Sequence, residues 1–229
     1  MRRNVAKLSV VGIGPGAPDY VTPAARRAVQ AADVVMGAER SLKLLETDIR
    51  GEVIVLTAKN VTEMLNRAVE FVEKGKTVAL LSTGDPGFSG LLGSILKYTR
   101  ERDVEVNVIP GVSSIQACAA RLCMCWDEMS LFTFHKGTTA GKKAQLLKAV
   151  KEGKDVMLLP EPKAFHPREI ASFLLKSGLD KETPVFVCER LTLTDERIVE
   201  CTLEQASVRD FDALSVMVIK AKQKNERDD

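Results

Sequence analysis

The sequence predicts an α/β protein of two α/β domains, the first built on a doubly wound, mostly parallel sheet and the second on a mixed sheet. Up to residue 122, apolar runs of strand length alternate with helical segments, a pattern typical of parallel strands joined by crossover helices. Near the carboxyl end, three apolar runs follow one another with little helix between them, which favours antiparallel pairing. An apolar content of 45% in 229 residues is enough for two hydrophobic cores.

The first half of the chain is predicted to contain five strands, each followed by a helix. The strands are expected at residues 8–11, 33–36, 53–56, 77–80 and 104–109, and the helices at residues 22–32, 41–47, 61–74, 91–98 and 114–122. Thr22 before Pro23 is a typical helix start, with the threonine as N-cap. Ser41 is expected to cap the second helix, and apolar residues in the third recur at the helical period.

The second half is predicted to mix both strand directions. Strands are expected at residues 129–134, 156–159, 184–188, 197–202 and 214–220, with helices at residues 142–151 and 167–178. We place the two domains at residues 1–112 and 113–222. A polar tail at residues 223–229 follows, and we expect it to be disordered.

Loops rich in glycine and proline follow the first, fourth and fifth predicted strands. They contain Gly-Pro-Gly at residues 14–16, Gly-Asp-Pro at residues 84–86 and Pro-Gly-Val-Ser-Ser at residues 110–114. Glycines let a ligand approach the backbone closely, and Asp85 supplies a carboxylate. Because the carboxyl ends of parallel strands lie at one edge of a sheet, we expect the three loops to meet in one ligand-binding crevice.

The first loop also matches the spacing of a dinucleotide-binding fingerprint, with Glu39 near the position expected for a ribose carboxylate. That fingerprint needs a helix N-terminus with free amides directly at the pyrophosphate. Here Pro15 and Pro18 remove two amide donors, and the helix starts only at Thr22. The sequence therefore argues against nicotinamide binding.

In order and separation, the three loops resemble the three signatures of the tetrapyrrole methylase family. The matching segments are residues 11–16 with Asp19 and 22–23, residues 83–86, and residues 110–114. The resemblance covers essentially the whole chain. Within the family, residues 37–42, 84–90, 114–116 and 189–198 resemble the subfamily that methylates C5 of a cobalt-precorrin in cobalamin biosynthesis.

This resemblance implies that S-adenosylmethionine binds in a cleft between the two domains, with an acidic tetrapyrrole over the cleft, and that the protein is a homodimer. The candidate cofactor contacts are Gly14, Pro15, Gly84, Asp85, Phe88, Ser113, Ser114, Ile115, Leu159 and Leu214. The candidate contacts to the acidic substrate are Gly16, Asp19, His135 and Lys136. A separate chain carrying a C15-methyltransferase and decarboxylase is the expected partner.

Several of these side chains also have a structural interpretation. Asp85 is expected either to orient the cofactor or to cap its own turn, and Asp19 either to cap its loop or to contact substrate. His135 and Lys136 alternatively form an ordinary surface pair. Outside the candidate set, His166 is interpreted as a helix-entry residue. Arg190 is expected to pair with Glu189 or Asp195.

The implied chemistry needs no strong base. A sulfonium methyl group transfers in line to a ring carbon that the reduced macrocycle already makes nucleophilic, so the protein mainly orients the reactants and excludes water. The absence of a His-Asp or paired-carboxylate signature fits this chemistry. We therefore assign no catalytic residue beyond an orienting role for Asp85.

Three alternatives remain from the sequence. The first is methylation at another tetrapyrrole position, as in a uroporphyrinogen methylase. The second is diphthine synthase, against which the forms of the loops at residues 15–16 and 110–112 argue. The third is a non-catalytic corrinoid-binding module, which would not need glycine loops at all three strand ends.

Composition excludes several other classes. A net charge of +2 without a dense basic run, together with few aromatic residues, argues against nucleic-acid binding. The N-terminus lacks the apolar region of a signal peptide and no run reaches membrane-spanning length, so we expect a cytoplasmic protein. The spacing of Cys118, Cys123 and Cys125 with His135 matches no zinc pattern. We expect reduced core thiols and no metal.

Overall fold

The computed structural model describes residues 6–221, which form two compact units, the first ending at Ser113 and the second beginning at Ser114. Each unit contains one five-stranded sheet with helices packed against it. The predicted α/β class, with one parallel and one mixed sheet, is confirmed. Within residues 6–221, no helix has the length and apolar character needed to cross a membrane.

The first unit is a parallel sheet with the strand order β3-β2-β4-β1-β5. Its strands are β1 (Leu8–Gly12), β2 (Val34–Gly37), β3 (Glu52–Val55), β4 (Val78–Ser82) and β5 (Val106–Ile109). Its helices are α1 (Pro23–Gln30), α2 (Glu39–Leu44), α3 (Val61–Glu73) and α4 (Leu92–Thr99). Because β4, β1 and β5 are neighbours, the three glycine-containing loops that follow them start side by side.

Both faces of the first sheet are covered, as in a doubly wound fold. Val10 of β1 and Leu80 of β4 pack against α3 and α4 on one face. Their chain neighbours Val11 and Leu81 pack against α1 and α2 on the other. Strands buried on both faces need continuous apolar runs, which explains why β1 and β4 stand out in the sequence.

Two local predictions in this unit have different outcomes. Thr22 does cap α1, because its Oγ1 accepts the N–H of Ala25 at 3.1 Å. The prediction that Ser41 caps α2 is wrong: the N-cap is Ala38, and Ser41 is buried inside the helix. The Oγ of Ser41 lies 3.5 Å from Oγ1 of Thr83, so tertiary packing rather than capping occupies this serine.

Asp19 lies in a 3-10 turn, Pro18–Tyr20, that the sequence did not predict. Its side chain is exposed. Among the residues that the structure describes, no hydrogen bond or ion pair involves its carboxylate, so the capping role considered for Asp19 is not found.

The second unit is a mixed sheet with the order β6-β7-β10-β8-β9. Its strands are β6 (Ser130–Thr133), β7 (Val156–Leu159), β8 (Pro184–Glu189), β9 (Arg197–Thr202) and β10 (Ser215–Ile219). Its helices are α5 (Ser114–Arg121), α6 (Ala140–Lys151), α7 (Pro167–Lys176) and α8 (Leu203–Ala206). Only β6 and β7 are parallel; the other neighbours are antiparallel, as predicted for the last three strands.

Helix α8 was not predicted, because four residues are too short to show a helical period. Thr202 caps it by accepting the N–H of Gln205 at 3.3 Å, and the Gln205 side chain accepts the N–H of Thr202 at 3.1 Å. This reciprocal pair is a capping box. The hydrophobic core of the unit lies between the sheet and helices α6, α7 and α8, around Phe134 and Phe165.

Candidate functional site

The three glycine-containing loops meet at the carboxyl edge of the first sheet, as predicted. The N–H of Gly84 donates to the carbonyl of Gly14 at 2.8 Å, which joins the loops after β4 and β1. A Cβ on Gly12 would lie 2.5 Å from the backbone nitrogen of Gly111, and a Cβ on Gly111 would lie 2.4 Å from the carbonyl oxygen of Gly84. These distances leave no room for a side chain, so Gly12, Gly84 and Gly111 form a direct backbone contact, here called the glycine cluster.

Asp85 ties two of the loops together. Its Oδ1 accepts the N–H of Gly87 at 2.8 Å, and its Oδ2 accepts the N–H of Gly111 at 3.3 Å. The first bond is the turn-capping role considered from the sequence. The second was missed, because nothing in the local sequence indicates a contact to a residue in another loop. Both carboxylate oxygens therefore have a structural function.

The rest of the loop after β4 is closed by its own contacts. The Oγ of Ser82 accepts the N–H of Leu91 at 3.2 Å, and the carbonyl of Pro86 accepts the N–H of Leu92 at 3.2 Å. A Cβ on Gly90 would lie 2.5 Å from the Ser82 Oγ, so the loop has space only for glycine there. Phe88, in the middle of this loop, is half-buried. The conformation of the whole segment is thus fixed by short-range packing.

The structure groups the predicted cofactor contacts within each unit. In the first unit, Gly14, Pro15, Gly84, Asp85, Phe88 and Ser113 belong to the three loops that meet, together with the predicted substrate contact Gly16. In the second unit, Ser114 and Ile115 begin α5, Leu159 ends β7 and Leu214 precedes β10. Because β7 and β10 are antiparallel, Leu159 and Leu214 lie at the same edge of the second sheet.

His135 and Lys136 also lie at that edge. They follow β6, which is parallel to β7 and pairs its last residue, Thr133, with Leu159. Both side chains reach the surface. Desolvation by the surrounding protein lowers the pKa of His135, against the nearby carboxylate of Glu161 and a hydrogen bond to the Pro160 carbonyl. The lowered pKa favours the neutral form of His135 near pH 7.

Ion pairs fix the segment between β8 and β10. Arg190 pairs with Asp195 at 2.5 Å and with Asp212 at 3.5 Å, which confirms one of its two predicted partners. The alternative partner, Glu189, is only 1% exposed and pairs with Arg197. Glu189 also accepts the N–H of Asp212 at 2.5 Å, and a buried carboxylate needs such partners.

His166 is a helix-entry residue, as interpreted from the sequence. It is the N-cap of α7, and its N–H donates to the carboxylate of Glu169 at 3.1 Å. No catalytic role is needed to explain its position.

The cysteines are only partly as predicted. Cys118 is fully buried, and its contact with the buried Cys188, together with desolvation, raises its pKa. Cys123 and Cys125 are exposed, so the prediction of core thiols is wrong for these two, which follow the end of α5. Within residues 6–221, no three His, Cys, Asp or Glu side chains are grouped to hold a metal ion.

Replacing Gly111 by alanine should separate the loops of the glycine cluster. The new Cβ would meet backbone atoms of Gly84 and Gly12, which cannot move aside as a flexible side chain can. We expect a loss of about 1–3 kcal/mol in the free energy of unfolding, measured by urea denaturation. The control is Gly141→Ala in α6, where a Cβ meets nothing within 4 Å and stability should hold or rise. Equal effects of the two substitutions would contradict the tight contact.

The lowered pKa of His135 can be measured by proton NMR, because the chain contains two histidines and His166→Gln leaves one imidazole signal. We expect the His135 resonance to titrate below the ordinary value of 6.5. The lowered pKa also makes the stability of the protein depend on pH. Since the unfolded chain binds this proton more readily, the protein should lose stability as the pH falls through 6.5, and His135→Gln should reduce that loss. A midpoint at or above 6.5 would contradict the desolvation.

Known proteins are similar to this chain in sequence and in fold. A family model described as Tetrapyrrole (Corrin/Porphyrin) Methylases matches residues 7–207. The chain is 36% identical to a probable cobalt-precorrin-7 C(5)-methyltransferase of Methanocaldococcus jannaschii, over 91% of this chain and 95% of that protein.

Two solved structures extend the comparison. The precorrin-6Y methylase of Archaeoglobus fulgidus is 25% identical, with a TM-score of 0.70 over 94% of this chain and 98% of the other. The uroporphyrin-III C-methyltransferase of Thermus thermophilus, complexed with S-adenosylhomocysteine, is 22% identical, with a TM-score of 0.73 over 94% and 92% of the two chains. The second likeness concerns the fold alone. Together with the family match, the three converging loops identify this chain as a member of the tetrapyrrole (corrin/porphyrin) methylase family, and therefore as a methyltransferase.

Proposed function

We propose that this protein uses S-adenosylmethionine to methylate C5 of cobalt-precorrin-7 in cobalamin biosynthesis. The observation that carries the proposal is the glycine cluster with its Asp85 tie, which presents three loop backbones together at the carboxyl edge of a parallel sheet. The C5 step is supported by likeness to the M. jannaschii relative over nearly the full length of both proteins.

The residues of the first unit fit a cofactor with polar groups close to the backbone. Gly84 has a φ of +69°, and a Cβ built on it would meet only the Cα of Ser113, at 3.8 Å. Within the first unit, there is therefore open space beside the Cα of Gly84. We propose that Gly14, Pro15, Gly84, Asp85, Phe88 and Ser113 hold the cofactor, together with Ser114, Ile115, Leu159 and Leu214 of the second unit.

Bound S-adenosylmethionine would supply an electrophilic methyl group. The chain's own contribution is orientation and the exclusion of water, since the proposed acceptor carbon is already nucleophilic. Asp85 is poorly suited to act as a base, because its two oxygens accept the N–H groups of Gly87 and Gly111. Its negative charge and remaining lone pairs can still orient a cationic cofactor. Asp85 is therefore a positioning residue in this proposal.

Recognition of an acidic macrocycle needs cations or hydrogen-bond donors. We propose Lys136 as a cation and His135 as a neutral donor for substrate carboxylates, with Gly16 and Asp19 as further contacts from the first unit. Assembly as a homodimer and a separate partner chain for C15 methylation and decarboxylation belong to the same proposal. Light scattering on the purified protein measures its molar mass and so tests for the homodimer.

Calorimetric titration with S-adenosylhomocysteine tests the cofactor assignment. We expect saturable micromolar binding and none of NADH. Asp85→Ala should weaken binding by about tenfold or more, because it removes a charge and two loop contacts. Asp103→Ala is the matched control, since Asp103 is an exposed aspartate of the same unit. The affinity of this variant for S-adenosylhomocysteine should be unchanged. Preference for NADH would overturn the assignment.

The methylated position is tested with S-adenosylmethionine labelled with carbon-13 in its methyl group. Incubation with cobalt-precorrin-7 should place the label on C5, as read by NMR of the isolated product. Uroporphyrinogen III, offered under the same conditions, should stay unlabelled. Label on uroporphyrinogen III, or at another carbon of the precorrin, would replace the C5 assignment by a different step of the same family.

A further inference from the structure

A second feature of the first unit is a cavity of about 340 Å³ beside the loop after β4. It lies on the side of β2 and β3, whereas the glycine cluster lies on the side of β1 and β5. It lies at the carboxyl edge of the sheet, bounded by the segments that follow β2, β3 and β4. Five of its lining side chains carry a hydroxyl group: Ser41, Thr57, Ser82, Thr83 and Ser89. We call this cavity the hydroxyl pocket.

The contacts of these hydroxyl groups decide which of them can donate to a ligand. Ser41 and Thr83 come from different segments, and their oxygens lie 3.5 Å apart. Oγ1 of Thr57 accepts the N–H of Asn60 at 3.3 Å, which uses a lone pair and leaves its own O–H available as a donor. Ser41 is only 2% exposed, so its hydroxyl group is held within the pocket wall.

The remaining lining decides which ligand fits. No acidic or basic side chain lines the pocket, and Leu56, Val61 and Leu81 give it an apolar part. The thirteen-residue helix α3 begins at Val61, so the positive end of its dipole borders the pocket. A short side chain with a methylene stem and a terminal carboxylate matches this combination: the stem packs on the apolar part and the carboxylate accepts from the hydroxyl groups.

We propose that the hydroxyl pocket binds one carboxylate side chain of the tetrapyrrole substrate and so sets the ring's position beside the loop after β4. This inference rests on the proposed function, which supplies an acidic macrocycle. The glycine cluster and the hydroxyl pocket then flank the same rigid loop, residues 83–90. In this arrangement, Thr83 and Ser41 are substrate-positioning residues, and neither was among the candidate site residues of the sequence analysis.

Calorimetric titration with two stable corrinoids tests the pocket. Dicyanocobyrinic acid carries carboxylate side chains, whereas dicyanocobinamide carries amides on the same ring. The wild-type protein should prefer the acid, and the pair Ser41→Ala and Thr83→Val should weaken its binding by about tenfold or more. Affinity for the amide should change by no more than about twofold, because neutral groups gain less from these donors.

The control is Thr62→Val, which removes an exposed hydroxyl group near the start of α3 outside the pocket and should leave both affinities unchanged. Unchanged binding of S-adenosylhomocysteine shows that the pocket variant is folded. Two results would overturn the pocket proposal alone. In the first, the wild-type protein binds the acid and the two substitutions do not weaken this binding. In the second, they weaken binding of the acid and of the amide equally. Failure of the wild-type protein to bind the acid, with S-adenosylhomocysteine still bound, would overturn both the pocket and the proposed substrate class.

Discussion

Close backbone contact among Gly12, Gly84 and Gly111 is the constraint on which the rest of the candidate site depends. Strands β1, β4 and β5 are neighbours, and the loops leaving them can touch only where no Cβ intervenes. Asp85 adds a polar tie to the same contact through the N–H of Gly111. The loop after β4 therefore lies between the glycine cluster and the hydroxyl pocket.

In the second unit, the directions of the strands bring the candidate residues to one edge of the sheet. Leu159 ends one strand and Leu214 precedes an antiparallel neighbour, so residues far apart in the sequence share one edge. Arg190 is held just beyond the carboxyl end of β8 by Asp195 and Asp212. Glu189 beside it is buried and engaged by Arg197. The charges of these ion pairs are therefore committed to the structure of the unit.

The distribution of charge fits the chemistry of methyl transfer to a nucleophilic carbon. Such a reaction needs geometry and a dry site more than a base, and the first unit supplies glycine backbone, hydroxyl groups and one carboxylate that is already hydrogen-bonded. Desolvation lowers the pKa of His135, which favours its neutral form near pH 7, and the neutral ring still has one N–H to donate.

The sequence alone determined what depends on local patterns: the alternating strands and helices, the cap at Thr22, the helix entry at His166 and the position of the three loops at strand ends. Helix α8 and the turn at Asp19 are too short to leave a periodic signal, and Ser41 was misread because tertiary packing, not capping, fixes it. The bond between Asp85 and Gly111, the lack of room for a Cβ at Gly12 and Gly111, and the hydroxyl pocket were decided by tertiary structure. These features join segments distant in the chain, and their distances arise only once the strands are ordered in a sheet.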